Sequence, residues 1–304
     1  MDILELIEKG KVKRYFRAKR KLNAPNLVYH ITQRAAGKET LFVEDGDYLA
    51  MLSLLKEVSA DYSFRIFAFC FMPNHVHLLC SPENANLHDA MRDLFSGYAR
   101  RFNKKYERKG HLFGGPYRQA VILDEGYLLA SSLYIHLNPT RAGLATDPLI
   151  YRWSSCRLYC EERQKSSFVQ PDFVLKLLGQ DVEMKRSYRI LLKRGMELDA
   201  AHVMEQGSAI EHFGSRLRSI FPAIFQRIAE RKSHESHIGE QLISSEEVDQ
   251  MCEGAKMSRS TRRPETKKAR KYLIEQLLAR GYRRKEIGER LGLSRKSIYN
   301  ILKP

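Results

Sequence analysis

Polar and apolar residues alternate along Leu27–Arg34 with the two-residue period of a strand that buries one face. Ala35-Ala36-Gly37-Lys38 then reads as a turn. Over Tyr48–Ser59 the rhythm becomes helical, with Leu49, Leu52, Leu55 and Val58 three apart. Phe64–Cys70 and Asn74–Cys80 are two apolar runs interrupted near Met72-Pro73, and they predict a hairpin. Leu87–Lys105 is a second amphipathic helix. A Gly-rich loop from His111 leads into a strand at Gln119–Leu123. Asp124–Leu137 is a third helix, which Asn138-Pro139 is expected to stop because proline cannot continue the hydrogen-bond ladder. The order β-α-β-β-α-β-α predicts an α+β fold with an antiparallel sheet.

The texture changes after residue 165. Helical patches at Asp172–Leu178, Ser187–Leu192 and Ala209–Arg231 carry no obvious reactive cluster, and His234–His237 sits in a polar stretch that reads as linker. Residues 256–266 form a Ser/Arg/Lys-rich hinge. Helices at Lys267–Arg280, Arg284–Leu291 and Arg295–Leu302 follow, with Ser294 placed to cap the last one after the Gly292-Leu293 turn. Helix, tight turn and capped helix predict a helix-turn-helix. The expected organisation is a catalytic domain over 1–160, a helical connector over 161–255 and a helix-turn-helix domain over 256–304.

Charge narrows the partner. The 304 residues carry a formal net charge of +16, a balance that favours a polyanion, nucleic acid before an acidic membrane. Residues 261–304 hold 14 Lys and Arg against 4 Glu, and residues 98–120 hold 7 against 1. No apolar run approaches a membrane span. The N-terminus begins Met1-Asp2-Ile3-Leu4-Glu5, acidic where a secretory signal would be basic. Cys70, Cys80, Cys156, Cys160 and Cys252 are odd in number and unpatterned, as expected of reduced thiols in a cytoplasmic protein.

The densest chemistry lies in Phe71-Met72-Pro73-Asn74-His75-Val76-His77-Leu78-Leu79. In a strand, His75 and His77 point to one side, which makes them a candidate pair of divalent-metal ligands; two half-buried histidines bonded to backbone is the alternative. The third helix contributes Tyr134 and Asn138, four apart and so on one helical face. A phenol is a weak nucleophile, but a metal-polarised phosphate brings a phosphotyrosine within reach. Asn138 offers an amide oxygen as a third ligand. Core packing is the alternative for Tyr134. His136 falls off that face and is expected at most near a ligand or a phosphate.

These segments resemble a family. Phe71–Leu79 is similar to the His-hydrophobic-His (HUH) motif of single-tyrosine transposases. Tyr134-Ile135-His136-Leu137-Asn138-Pro139-Thr140-Arg141-Ala142-Gly143-Leu144 resembles their tyrosine-helix motif, most of all in the REP-associated tyrosine transposase branch. Gly110–Arg118 and Tyr151-Arg152-Trp153-Ser154-Ser155-Cys156 resemble two further segments of that branch. The chain departs from it at Gly114-Gly115-Pro116, where Gln and Arg are usual, and Asn138 stands where insertion-sequence relatives often carry Gln.

The resemblance implies a ferredoxin-like domain that nicks and rejoins single-stranded or hairpin DNA by transesterification. Tyr134 would form a 5′-phosphotyrosine, and His75, His77 and Asn138 would hold Mg²⁺ or Mn²⁺. The C-terminal segment resembles the helix-turn-helix of replication-initiator C-terminal domains. Arg100, Arg101, Lys104, Lys105 and Arg118, with Arg295, Lys296 and Tyr299 of the C-terminal helix, are the expected DNA contacts. Tyr98, Phe102, Tyr106 and Tyr117 are candidate stacking platforms for bases. A monomer and a homodimer are both compatible with this reading. Two rivals are a repeat-DNA binder that no longer cleaves and a transcription regulator that works through its helix-turn-helix alone.

Overall fold

The computed structural model describes residues 15–16, 21, 23, 25–37, 39–122, 124–162, 167–179, 181–198, 209–231, 252–253, 264–279, 282 and 284–302. His234–His237 and most of the 256–266 hinge lie outside the described residues. The chain divides into two units, residues 24–238 and residues 1–23 with 239–304.

In the larger unit, strands β1 (Val28–Arg34), β2 (Phe64–Met72), β3 (His75–Pro82) and β4 (Arg118–Ile122) form an antiparallel sheet in the order β4-β1-β3-β2. Helix α1 (Asp45–Asp61) connects β1 to β2, and α2 (Leu87–Lys105) connects β3 to β4. Helix α3 (Glu125–Arg141) follows β4. This is the expected α+β, ferredoxin-like order. Helices α1 and α2 cover one face, where Phe42 joins Phe71 of β2 to Tyr98 of α2. Helix α3 covers the other, packing with Val28, Cys70, Met72, Leu79 and Ile122. The outer edge of β2 is closed by residues 151–155, where Phe71 N–H donates to Trp153 and Ser155 N–H to Phe69, so the Tyr151–Cys156 motif protects a sheet edge.

Helix α3 does not stop at Pro139; it runs to Arg141. Proline so close to the end removes one backbone bond, and the last turn closes through Ala142 N–H to Asn138 O and Thr140 Oγ1 to Leu137 O. Tyr134, Asn138 and Arg141 consequently share one stripe of the helix.

Of the segment expected to be a connector, the helices between 161 and 231 are built into the same unit. Helices α4 (Cys156–Cys160), α5 (Asp172–Leu175), α6 (Asp181–Glu197), α7 (Ala209–Ile220) and α8 (Pro222–Arg231) supply Tyr159, Val174, Tyr188, Leu191, Phe213, Leu217 and Phe225 to the core that contains α3. The helix expected over 209–231 breaks at Phe221, because Pro222 opens α8. All five cysteines are buried thiols outside any disulfide.

In the other unit, α9 (Pro264–Ala279), α10 (Arg284–Leu291) and α11 (Arg295–Leu302) pack through Leu273, Ile274, Leu277, Ile287, Leu291 and Ile298. Ser294 Oγ accepts from Ser297 N–H at 3.1 Å, the expected cap. Gly292 adopts a positive φ of 63° between the last two helices. A Cβ on Gly288 would meet Leu293 O at 2.6 Å, so α10 meets the turn backbone to backbone. Among the described residues no helix is long and apolar enough to cross a membrane.

Candidate active site

Cross-strand register sets the site. Cys70, His77, Thr32 and Arg118 face one another across β2, β3, β1 and β4, and His75 lies between Met72 and Arg34 one pair further along. Residues opposed in this way point to the same side of a sheet. That side is the one α3 covers.

The two histidine rings of the motif lie edge to face, 4.8 Å between centroids. Tyr134 reaches the same place from α3, its ring 6.1 Å from that of His77. Nδ1 of His77 is 2.9 Å from His30 Nε2 and 3.3 Å from Thr32 Oγ1. Burial, and then the positive fields of His75, His30 and Arg34, hold His77 well below the usual imidazole range. Burial alone lowers His30 to about 4. Both rings are neutral at pH 7, so one ring donates the shared proton and the other accepts it. If His77 donates from Nδ1, its Nε2 keeps the lone pair that a metal ligand needs. The charge on β1 was visible in the sequence only as alternation; the register that brings His30 to His77 was not.

Asn138 Nδ2 donates to Tyr134 O at 2.8 Å, which leaves Oδ1 as the acceptor of that amide. Among the described residues no group of three His, Cys, Asp or Glu has metal-ligand geometry. The two imidazoles lie on the sheet, and the Asn138 amide lies one turn beyond Tyr134 on the facing helix; two imidazoles and an amide oxygen are donors of the kind a divalent ion with open positions takes.

Tyr134 is buried, only 4% exposed. Burial raises its phenol above the ordinary value, and Arg141 pulls the other way. The Arg141 guanidinium lies 5.6 Å from the Tyr134 ring centroid and 4.2 Å from that of Phe213 on α7. The rings of Phe213 and Tyr134 are 6.3 Å apart. Neither Arg141 nor Phe213 was singled out from sequence. Arg141 lay beyond the expected helix end, and Phe213 is 79 residues from Tyr134.

His136 is not at the site. It is fully buried behind the helix, with Tyr188 Oη at 2.8 Å from Nδ1 and Ser155 Oγ at 2.8 Å from Nε2. Burial lowers it to about 3. It ties α3 to α6 and to the edge-closing segment.

The expected DNA contacts separate in space. Arg118 is exposed on the tyrosine side, in one row with His77. Arg100, Arg101 and Lys104 are exposed on α2, in the layer on the opposite face. The Lys105 ammonium is held by Asp47 at 2.5 Å and Glu44 at 2.6 Å. Tyr98, Phe102 and Tyr117 are buried and cannot act as stacking platforms; their positions on the inward stripe of α2 and in the loop before β4 put them in the core. Tyr106 is half-buried and donates to Asp47. Lys296 and Tyr299 are exposed on α11, and of Arg295 only the backbone is described. The loop before β4 closes on β1: Gly114 N–H donates to Arg34 O, and a Cβ on Gly114 would sit 3.0 Å from Ala35 O. Backbone approach thus accounts for glycine where the resembling branch has a larger residue.

Residues 23–138 match a family described as "Transposase IS200 like". A solved structure of a REP-associated tyrosine transposase bound to a REP hairpin is similar at 14% identity and a TM-score of 0.41, over 46% of this chain and 82% of that one. No curated protein matches.

Proposed function

We propose that this protein nicks and rejoins DNA with Tyr134 as its nucleophile, a reading supported by the match of residues 23–138 to the IS200-like transposase family. The observation that carries the reading is the approach of Tyr134 to His77, ring centroids 6.1 Å apart, across a helix–sheet interface. A tyrosine used only for packing would not need neutral, hydrogen-bonded histidines as its neighbours.

His75, His77 and Asn138 would hold Mg²⁺ or Mn²⁺, and the bound ion would polarise the scissile phosphate. The chain's own residues do the rest. His30 and Thr32 orient His77, α3 presents the phenol, and Arg118 sets positive charge on the rim beside it. The phenolic oxygen attacks phosphorus and the 3′ oxygen leaves. The phosphodiester energy is kept in a 5′-phosphotyrosine, so rejoining needs no nucleotide. The substrate class is single-stranded or hairpin DNA, with Arg118 as a contact beside the tyrosine and Lys296 and Tyr299 as contacts on the C-terminal helix.

The test is to incubate the full chain with 5′- or 3′-labelled hairpin DNA and Mn²⁺ and to resolve the products under denaturing conditions. A protein–DNA adduct that is absent from Tyr134→Phe supports the reading; an adduct unchanged in Tyr134→Phe refutes it. Burial of Tyr134 under Arg141 and Phe213 favours a second reading, a repeat-DNA binder that does not cleave. Tight binding with no adduct at any metal concentration would select it. Binding that survives when Arg118 is neutralised but is lost with Lys296→Ala/Tyr299→Ala would point instead to regulation through the C-terminal helices.

A further inference from the structure

We propose that Arg141 is a catalytic residue that binds the scissile phosphate, donating to a non-bridging oxygen as the phenol attacks. The proposal rests on Tyr134 being the nucleophile. It starts from an unmet need. Among the described residues, Nε and Nη1 of Arg141 are buried with no hydrogen-bond partner, and the hydrogen bond from Nη2 to Gly195 O is long at 3.4 Å. A guanidinium has five donors and no acceptor, and each buried donor left unmade keeps its desolvation cost uncompensated. A cation recruited only to offset the C-terminal end of α3 would turn its donors to the last carbonyls or to water. Arg141 instead lies against the Tyr134 ring, seven residues on along the same stripe of α3.

What satisfies such donors is an anion delivered to the tyrosine, and a phosphodiester is the anion this reaction brings. Burial lowers the guanidinium to about 10, so it stays charged at neutral pH. In the step, a lone pair of the Tyr134 oxygen forms the O–P bond and the P–O3′ bond breaks. The electron pair remains on O3′, which takes a proton from water, and the phenolic proton passes to water. Negative charge grows on the non-bridging oxygens at the five-coordinate stage, where a fixed cation with spare donors lowers the barrier most. The Phe213 ring, 4.2 Å from the guanidinium, has to move aside when the phosphate arrives.

The experiment compares DNA carrying a normal scissile phosphate with DNA carrying an uncharged methylphosphonate there, using the full chain with Arg141→Gln and Arg141→Lys, each first shown by thermal melt to fold. On normal DNA, Arg141→Gln should slow adduct formation by about 100-fold, and Arg141→Lys by less. On the methylphosphonate, wild type and Arg141→Gln should agree within about twofold, because the charge that Arg141 answers is gone. In EDTA, wild type should bind the normal site more tightly than the methylphosphonate, and Arg141→Gln should show no preference. Equal slowing on both substrates, or no preference by wild type in EDTA, overturns the proposal. An adduct that persists in Tyr134→Phe fails the underlying reading instead, and the EDTA comparison still decides whether Arg141 holds that phosphate.

Discussion

On β1, Tyr29 and Ile31 turn toward α1 and α2, while His30 and Thr32 turn toward α3. On β3, Val76 and Leu78 join the first pair, and His75 and His77 the second. The first face is closed by stacked aromatics: Phe42 on Phe71, Phe42 on Tyr48, and Tyr48 on Trp153 at 4.4 Å. It needs only shape and apolar area. The second face is equally buried, yet under α3 it holds His30, His77, Asn138 and part of Arg141, with His136 behind the helix. Polar groups survive there because most have partners, and the donors of Arg141 that lack one are those the proposal assigns to a phosphate. One sheet thus separates a face that stabilises from the face to which the proposed reaction is assigned, and the strand alternation of two decides which residue lies on which.

The sharpest break in that comparison is Tyr134→Phe. It deletes one oxygen from the reactive face and should abolish the DNA adduct, a loss beyond about a thousandfold, while the thermal midpoint stays near that of wild type. Phe71→Leu on the other face should do the reverse.

Between pH 7.5 and 4.5, acid should act mainly through the buried histidines. Burial holds His30 at about 4 and His136 at about 3, both below the ordinary 6.5. Folded-state values below the unfolded value mean that stability is complete above pH ~6.5 and is lost as pH falls through the window toward 4, where the unfolded chain takes up protons that the folded one refuses. Each histidine contributes on the order of 3 kcal/mol at neutral pH by this route. Urea midpoints at pH 7.5 and 4.5 should differ accordingly, and His136→Gln should flatten the slope. A slope unchanged by that substitution would mean that the buried network is not the source.

The cover over Tyr134 predicts a smaller effect. Phe213→Ala should raise the rate of Tyr134 nitration by tetranitromethane about tenfold, equivalent to about 1.4 kcal/mol of protection; peptide mapping of the nitrated site reads it. An unchanged rate would show that α7 does not shield the phenol. Smallest is Phe71→Leu, a near-volume-conserving change on the aromatic face. It should cost about 1 kcal/mol in urea unfolding and leave the pH slope and the adduct rate alone.

Much of this was legible because local rules and tertiary packing agree. The α2 range Leu87–Lys105, the α10 and α11 ranges and the Ser294 cap match the pattern read from sequence. The motif strand and Tyr134 were visible from residue types and spacing. Three things were hidden. The role of His30 depends on which strand lies beside β3, and register is not written in either strand alone. Pro139 suggested a helix end at Leu137, the true end lay four residues further on, and this concealed Arg141. Tyr98 and Phe102 were read as base platforms, although a helical stripe that also holds Leu94 and Phe95 faces the core. The helices from 181 to 231 looked inert because their part is to cover a distant tyrosine, a contact that only the folded chain reveals.

The central claim is that the Tyr134 phenol and the His77 imidazole serve one reaction centre. Tandem mass spectrometry of the nuclease-trimmed adduct formed by the full chain, hairpin DNA and Mn²⁺ tests it most directly. The account predicts a nucleotide 5′-phosphate on the peptide that contains Tyr134, with the yield lost in His77→Ala. A nucleotide on any other tyrosine, or an undiminished yield in His77→Ala, would contradict it.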